Sequence, residues 1–133
     1  MLHPTTTILT PDGFIGLTSL KVSDIVKTYF GTATIKQIES IIKPSLKIQA
    51  GPTTVWCSDD QEFLLRSELG YVFSVPETNN ELVQYAVSRR CEDMLMSLVK
   101  VDSISHWNQE TLYKLHLDVD YSVIINDYLI VRT

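Results

Sequence analysis

Few side chains in this sequence offer a nucleophile, a base or a metal donor at a spacing that chemistry can use. Thiols stand at Cys57 and Cys91, imidazoles at His3, His106 and His116, and hydroxyls next to apolar strand-like runs at Thr6 and Ser58. Cys57 and Ser58 are adjacent, and a thiolate or an activated hydroxyl can attack a carbonyl carbon. No histidine lies near either in sequence, so the more ordinary reading of Cys57 is a small buried hydrophobe in a strand. Cys91 reads the same way. The three histidines lack zinc-site spacing, and His116 alternates with Lys114 and Asp118 as a solvent-facing residue would. Asp59, Asp60 and Glu62, with Asp118 or Asp120, would suit a hard cation. They lack the D-x-D-x-D-G loop, and a solvated acidic rim explains them as well. Neither a metal nor a cofactor is expected.

The elements that must position these residues read as strands and short turns. At 133 residues, with 44% apolar and 20% charged residues, the chain is expected to be a single globular domain, 1–133. Thr5 to Leu9 is β-rich, and Pro11-Asp12-Gly13 makes a turn because Pro presets φ and Gly accepts positive φ. Phe14 to Leu17 returns. Lys36 to Ile42 and Leu46 to Gln49 read as two strands broken at Pro44. Thr53 to Cys57, Glu62 to Leu65 and Gly70 to Val75 follow. Leu112 to Tyr121 alternates apolar and polar residues, one face buried and one wet. Val123 to Ile125 and Tyr128 to Val131 flank a two-residue turn at Asn126-Asp127. The stretch 80–100 allows an amphipathic helix or two strands with a turn near Cys91 to Asp93. Strands are favoured, because 88–95 echoes 19–26 and 101–104 echoes 38–41.

The net charge of −5 argues against a nucleic-acid partner, which needs clustered Lys and Arg. Arg89-Arg90 is too short a cluster. No apolar run is long enough to span a membrane, and Met1-Leu2-His3-Pro4 is no signal peptide. Two cysteines fit a reducing compartment. Trp56, in an apolar strand, reads as core; Trp107, between His106 and Asn108, reads as an interface residue.

Three blocks then share a resemblance. The opening Thr6, Ile8-Leu9-Thr10-Pro11-Asp12-Gly13, the middle Val55 to Leu65 (VWCSDDQEFLL) and the closing 112–133 resemble, in order, those of the Hint (hedgehog/intein) domain family. The resemblance spans nearly the whole chain. It implies a mostly β, pseudo-two-fold horseshoe of strands and hairpins with few or no helices. It also implies which positions would carry autoprocessing. The family's first-residue nucleophile falls at Met1, whose thioether cannot attack. The middle block's Thr is Ser58, and its His, which protonates the leaving nitrogen, is Gln61. A later His matches Tyr121, an Asp matches Lys114, and the final His-Asn pair matches Val131-Arg132 or Arg132-Thr133.

The resemblance therefore implies a Hint scaffold whose catalytic positions Met1, Ser58, Gln61, Tyr121, Arg132 and Thr133 are vestigial and converge on one cleft. The expected function is non-enzymatic: a protein-binding or assembly module in the cytoplasm or a virion, of a kind that suits a phage. The rival expectation is residual autoprocessing or hydrolysis using Ser58, Cys57 or Thr6.

Overall fold

The computed structural model describes residues 1–87, 94–119 and 121–133. Among them the chain forms eleven strands and two single 3-10 turns, Leu17–Ser19 and Asn126–Tyr128. The strands are β1 (Thr7–Thr10), β2 (Gly13–Gly16), β3 (Ile25–Lys27), β4 (Thr32–Ala50), β5 (Thr53–Ser58), β6 (Phe63–Ser67), β7 (Gly70–Ser74), β8 (Glu81–Val87), β9 (Met94–Leu117), β10 (Ser122–Ile125) and β11 (Leu129–Arg132). All pairings are antiparallel, in the order β2-β1-β10-β11-β6-β8-β9-β4-β3, with β5 on β4 and β7 on β6. This is the mostly β architecture expected from the sequence.

The long ladder of β4 on β9, from Ile35↔Leu117 to Ala50↔Val101, joins the two halves. Pro44 does not break β4. It sits opposite Gln109 at a register shift between Pro44 and Leu46, where Ser45 Oγ donates to the Asn108 carbonyl at 2.7 Å. A bulge accepts proline because it releases the ladder position that needs an N–H.

The short central strands are buried on both faces, which is why their sequences read as continuous apolar runs. Val123 and Ile125 of β10, Leu129 and Val131 of β11, and Phe63 and Leu65 of β6 enter the main core. Their neighbours Ile124, Ile130 and Leu64 enter a second cluster with Leu9 and Val83. Residues 81–87 and 94–100 are paired strands, Val87↔Met94 to Glu81↔Lys100, so the helical alternative does not hold. Spacing alone could not separate the two, because Leu82 and Val83 bury opposite faces of one strand. The turn expected at Cys91 to Asp93 lies outside the described residues, as does Asp120.

Other expectations need correction. β9 ends at Leu117 rather than running to Tyr121. Asp118 Oδ1 accepts from the backbone N–H groups of Thr34 and Val119, both at 2.8 Å, and so closes the strand. Val119 and Tyr121 are exposed as a result. The β10–β11 turn has three residues, because Tyr128 joins Asn126-Asp127 and takes φ 64°. Trp56 is not core. It is half-buried on the outer face of β5, with Lys47 Nζ 5.9 Å from its ring centroid.

Ser23 is not a glycine and yet adopts φ 82°. A β-carbon in that region costs about 1 kcal/mol. Ser23→Gly should therefore raise stability by about 0.5–1 kcal/mol. A thermal midpoint higher by roughly 3 °C would confirm it, and an unchanged one would show no strain there.

Candidate functional site

Residues 1–3 run between β5 and β9 like a short extra strand. Leu2 exchanges backbone hydrogen bonds with Tyr113, both 2.8 Å, while His3 N–H donates to Trp56 and Ser58 N–H donates to Met1. Burial of the Leu2 side chain fixes this register. The consequence is positional: Met1 is delivered to the end of β5, where Ser58 and Gln61 wait.

The Met1 amino nitrogen donates to Ser58 Oγ at 2.9 Å and to Gln61 Oε1 at 2.7 Å. Burial holds its pKa below the ordinary 8.0, opposed by the nearby Asp60 carboxylate. Gln61, only 5% exposed, spends its amide N–H groups on the carbonyls of Arg132 at 2.7 Å and Glu62 at 2.9 Å. From the other strand, Arg132 N–H donates to the Glu62 carbonyl at 3.0 Å. One primary amide thus ties the Met1 nitrogen to the end of β11. Its oxygen faces that nitrogen as an acceptor, the opposite of what a leaving-group acid must offer.

Around this brace lies an open cleft of about 470 Å³, lined by Met1, Glu39, Lys43, Gln61, Lys114 and Thr133 among others. Asp60 and Arg132 border it too. The hydrogen bond from Ser58, then Lys43 at 3.0 Å, pulls the Asp60 pKa down to about 2. A depressed carboxylate pKa stabilises the fold above its ordinary 3.8, and that contribution is lost as pH falls through about 2. Asp60 is 67% exposed, so solvent screening keeps the effect under about 1 kcal/mol. Asp60→Asn should flatten stability between about pH 4 and pH 2; acid titrations of parent and variant that superimpose would contradict this.

The structure brings together Met1, Ser58, Gln61, Lys114, Arg132 and Thr133. Tyr121 joins only through its backbone, its carbonyl accepting from Thr133 N–H at 2.7 Å. Its side chain is 69% exposed and points into a different cavity, shared with Arg132. The brace role of Gln61 was missed in the sequence. No signal in the residue types could have found it, because its partners are main-chain atoms of Met1, Glu62 and Arg132.

The candidate nucleophiles are poorly disposed. Cys57 is buried in the core, and burial pushes its thiol up to about 12. Thr6, just before β1, is buried, its carbonyl accepting from Leu17 N–H. Ser58 is 1% exposed, and its Oγ is occupied as acceptor by the Met1 nitrogen at 2.9 Å. Elsewhere, His116 Nε2 lies 2.8 Å from Glu39, and His3 Nδ1 accepts from Thr5 N–H at 3.2 Å. Among the described residues no three His, Cys, Asp or Glu side chains gather as a metal site. Trp107 is half exposed on β9. No helix among the described residues is long and apolar enough to cross a membrane.

No protein-family model matches the sequence, and no curated protein matches it. Solved structures match along the whole chain. The gp41-1 intein is 19% identical, with 99% of this chain and 97% of that chain covered and a TM-score of 0.77. A bacterial intein-like domain from Clostridium thermocellum is 14% identical, at 99% and 97% coverage and a TM-score of 0.78. The DnaX mini intein from Spirulina platensis is 16% identical, at 99% and 98% coverage and a TM-score of 0.76. Identities this low establish the fold: the chain adopts the Hint, or intein, fold.

Proposed function

We propose that this chain is a splicing-inactive Hint-fold protein that serves as a protein-binding or assembly module. The observation that carries the reading is Gln61. At the position where the resembled family protonates the scissile amide, an amide side chain accepts from the Met1 nitrogen at 2.7 Å and has both its N–H groups engaged. A primary amide has no proton to transfer near neutral pH. Met1 offers no nucleophile, and neither Arg132 nor Thr133 can cyclise as an asparagine does. A fold kept without its chemistry keeps its surface, and fold by itself does not dictate function. The acidic net charge of −5 favours a protein partner over nucleic acid.

The test is a fusion of the whole chain between two reporter proteins. It should neither splice nor cleave over a day in reducing buffer, read by intact mass. Cleavage at either junction would overturn the reading and make Ser58 the first residue to mutate.

A further inference from the structure

Arg132 borders a second cavity, of about 180 Å³, lined also by Phe30, Phe73, Tyr121 and Ser122. The Arg132 guanidinium carbon lies 5.8 Å from the Phe73 ring centroid. Among the described residues its guanidinium makes no ion pair. What sets Arg132 apart is its position over an aromatic ring at the mouth of a cavity, where an outside anion can reach the guanidinium.

The rings around it are held in the open. Phe30 is 78% exposed. Its turn is fastened by Thr28 N–H to the Gly31 carbonyl at 2.9 Å and by Phe30 and Gly31 N–H to Thr28 Oγ1 at 3.3 and 3.0 Å. Tyr29 N–H donates to Ser122 Oγ at 3.1 Å, and the Tyr29 ring packs edge-on to Phe30 with centroids 4.7 Å apart. A braced turn that presents an aromatic ring to water has met its ordering cost before any partner arrives. Tyr, Phe and Arg are also the residues in which interface energy concentrates.

Phe73 belongs to β7, which among the described residues pairs only with β6. The ladder runs from Ser67↔Gly70, across a two-residue turn, to Phe63↔Ser74. With the turn-closing pair hydrogen-bonded, alternation directs the backbone groups of Gly70, Val72 and Ser74 to β6. Those of Tyr71 and Phe73 face outward. The strand carries no charge and no proline, the usual guards of a free edge.

We propose that this face docks an extended acidic segment of a protein partner, whose backbone lies along β7 and whose carboxylate meets Arg132 among Phe30, Phe73 and Tyr121. The proposal deepens the binding-module reading and rests on it. A guanidinium selects a carboxylate, the rings select apolar neighbours of that carboxylate, and the free edge selects an extended backbone. A second copy of β7 fits less well, since Gly70 to Ser74 brings no carboxylate to Arg132.

The test uses the full chain, isotope-labelled, titrated with an acetylated and amidated peptide Thr-Val-Glu-Phe-Val-Thr and with its Gln-for-Glu twin. The Glu peptide should shift the Arg132 Nε and the Tyr71 and Phe73 amide signals. It should bind roughly tenfold more tightly than the twin, a difference that Arg132→Gln removes. Equal affinities, shifts confined elsewhere, or no shift at millimolar peptide would overturn the proposal. So would a concentration-dependent dimer abolished by Tyr71→Lys, which would put a second copy on this face. A native partner bound equally well by the Phe30→Ser, Arg132→Gln double variant would remove this face while leaving the binding-module reading intact.

Discussion

Cleavage at the junction preceding residue 1 should return when Met1→Cys and Gln61→His are combined in the two-reporter fusion. With added thiol, the double variant should cleave roughly 10²–10⁴-fold faster than Met1→Cys alone. The geometry supports the pairing. Residues 1–3 are already seated between β5 and β9, and Met1 N lies 2.9 Å from Ser58 Oγ. A cysteine there gains a side-chain thiol without moving the backbone. By itself it gains little, because the acyl shift must expel an amide nitrogen whose neighbour, Gln61 Oε1 at 2.7 Å, can only accept. An imidazolium in the same place can donate, and Ser58 remains to hold the site. Release at the far junction should stay absent until asparagine is also restored at Arg132 or Thr133. Time courses by gel and intact mass decide the matter. If the double variant is no faster than Met1→Cys, Gln61 is not the missing acid and the alignment through the middle block is wrong.

The fold was legible because three collinear blocks carry backbone instructions that do not depend on which side chains stand at the family's catalytic positions. Pro11-Asp12-Gly13 still turns, with Gly13 at φ 103°. Asn126 still pins the closing turn to β1, accepting from Thr7 N–H at 2.7 Å and Thr7 Oγ1 at 3.0 Å. What sequence could not supply was long-range pairing. Pro44 reads as a strand break until β9 is placed opposite it and a bulge absorbs it. Trp56 reads as core until Lys47 is seen across its ring. Leu112 to Tyr121 keeps its alternation past the point where Asp118 turns the chain toward Thr34. The convergence of Met1, Ser58, Gln61 and Arg132 followed from the resemblance alone. Tyr121 fell short of it, because its side chain leaves the cleft for the cavity beside Phe30. The brace made by Gln61 was invisible, since all three of its partners are main-chain nitrogen or oxygen atoms, which residue types do not reveal.

That brace sets the second large effect. Gln61→Leu should destabilise the protein by about 2–4 kcal/mol, and lower the thermal midpoint by roughly 10 °C. Leucine fits the volume but leaves the Arg132 and Glu62 carbonyls and the Met1 nitrogen each without one partner. An unsatisfied buried polar group costs about 1–3 kcal/mol. The open cleft lets water reach some of these groups, so the total falls short of a simple sum. Gln61→His should cost less than leucine, because imidazole retains one donor and one acceptor. It should still cost something, since the amide holds two carbonyls and imidazole can hold one. Urea unfolding of the three proteins, with a common slope, should therefore rank Gln above His above Leu. The ranking separates two accounts of why glutamine stands here. If histidine proves as stable as glutamine, the amide contributes no more to the brace than an imidazole would. If glutamine is the more stable by about 1 kcal/mol or more, the residue at position 61 is held there by its structural role. Met1 and the end of β11 are then held together by hydrogen bonds that only a primary amide can make in full.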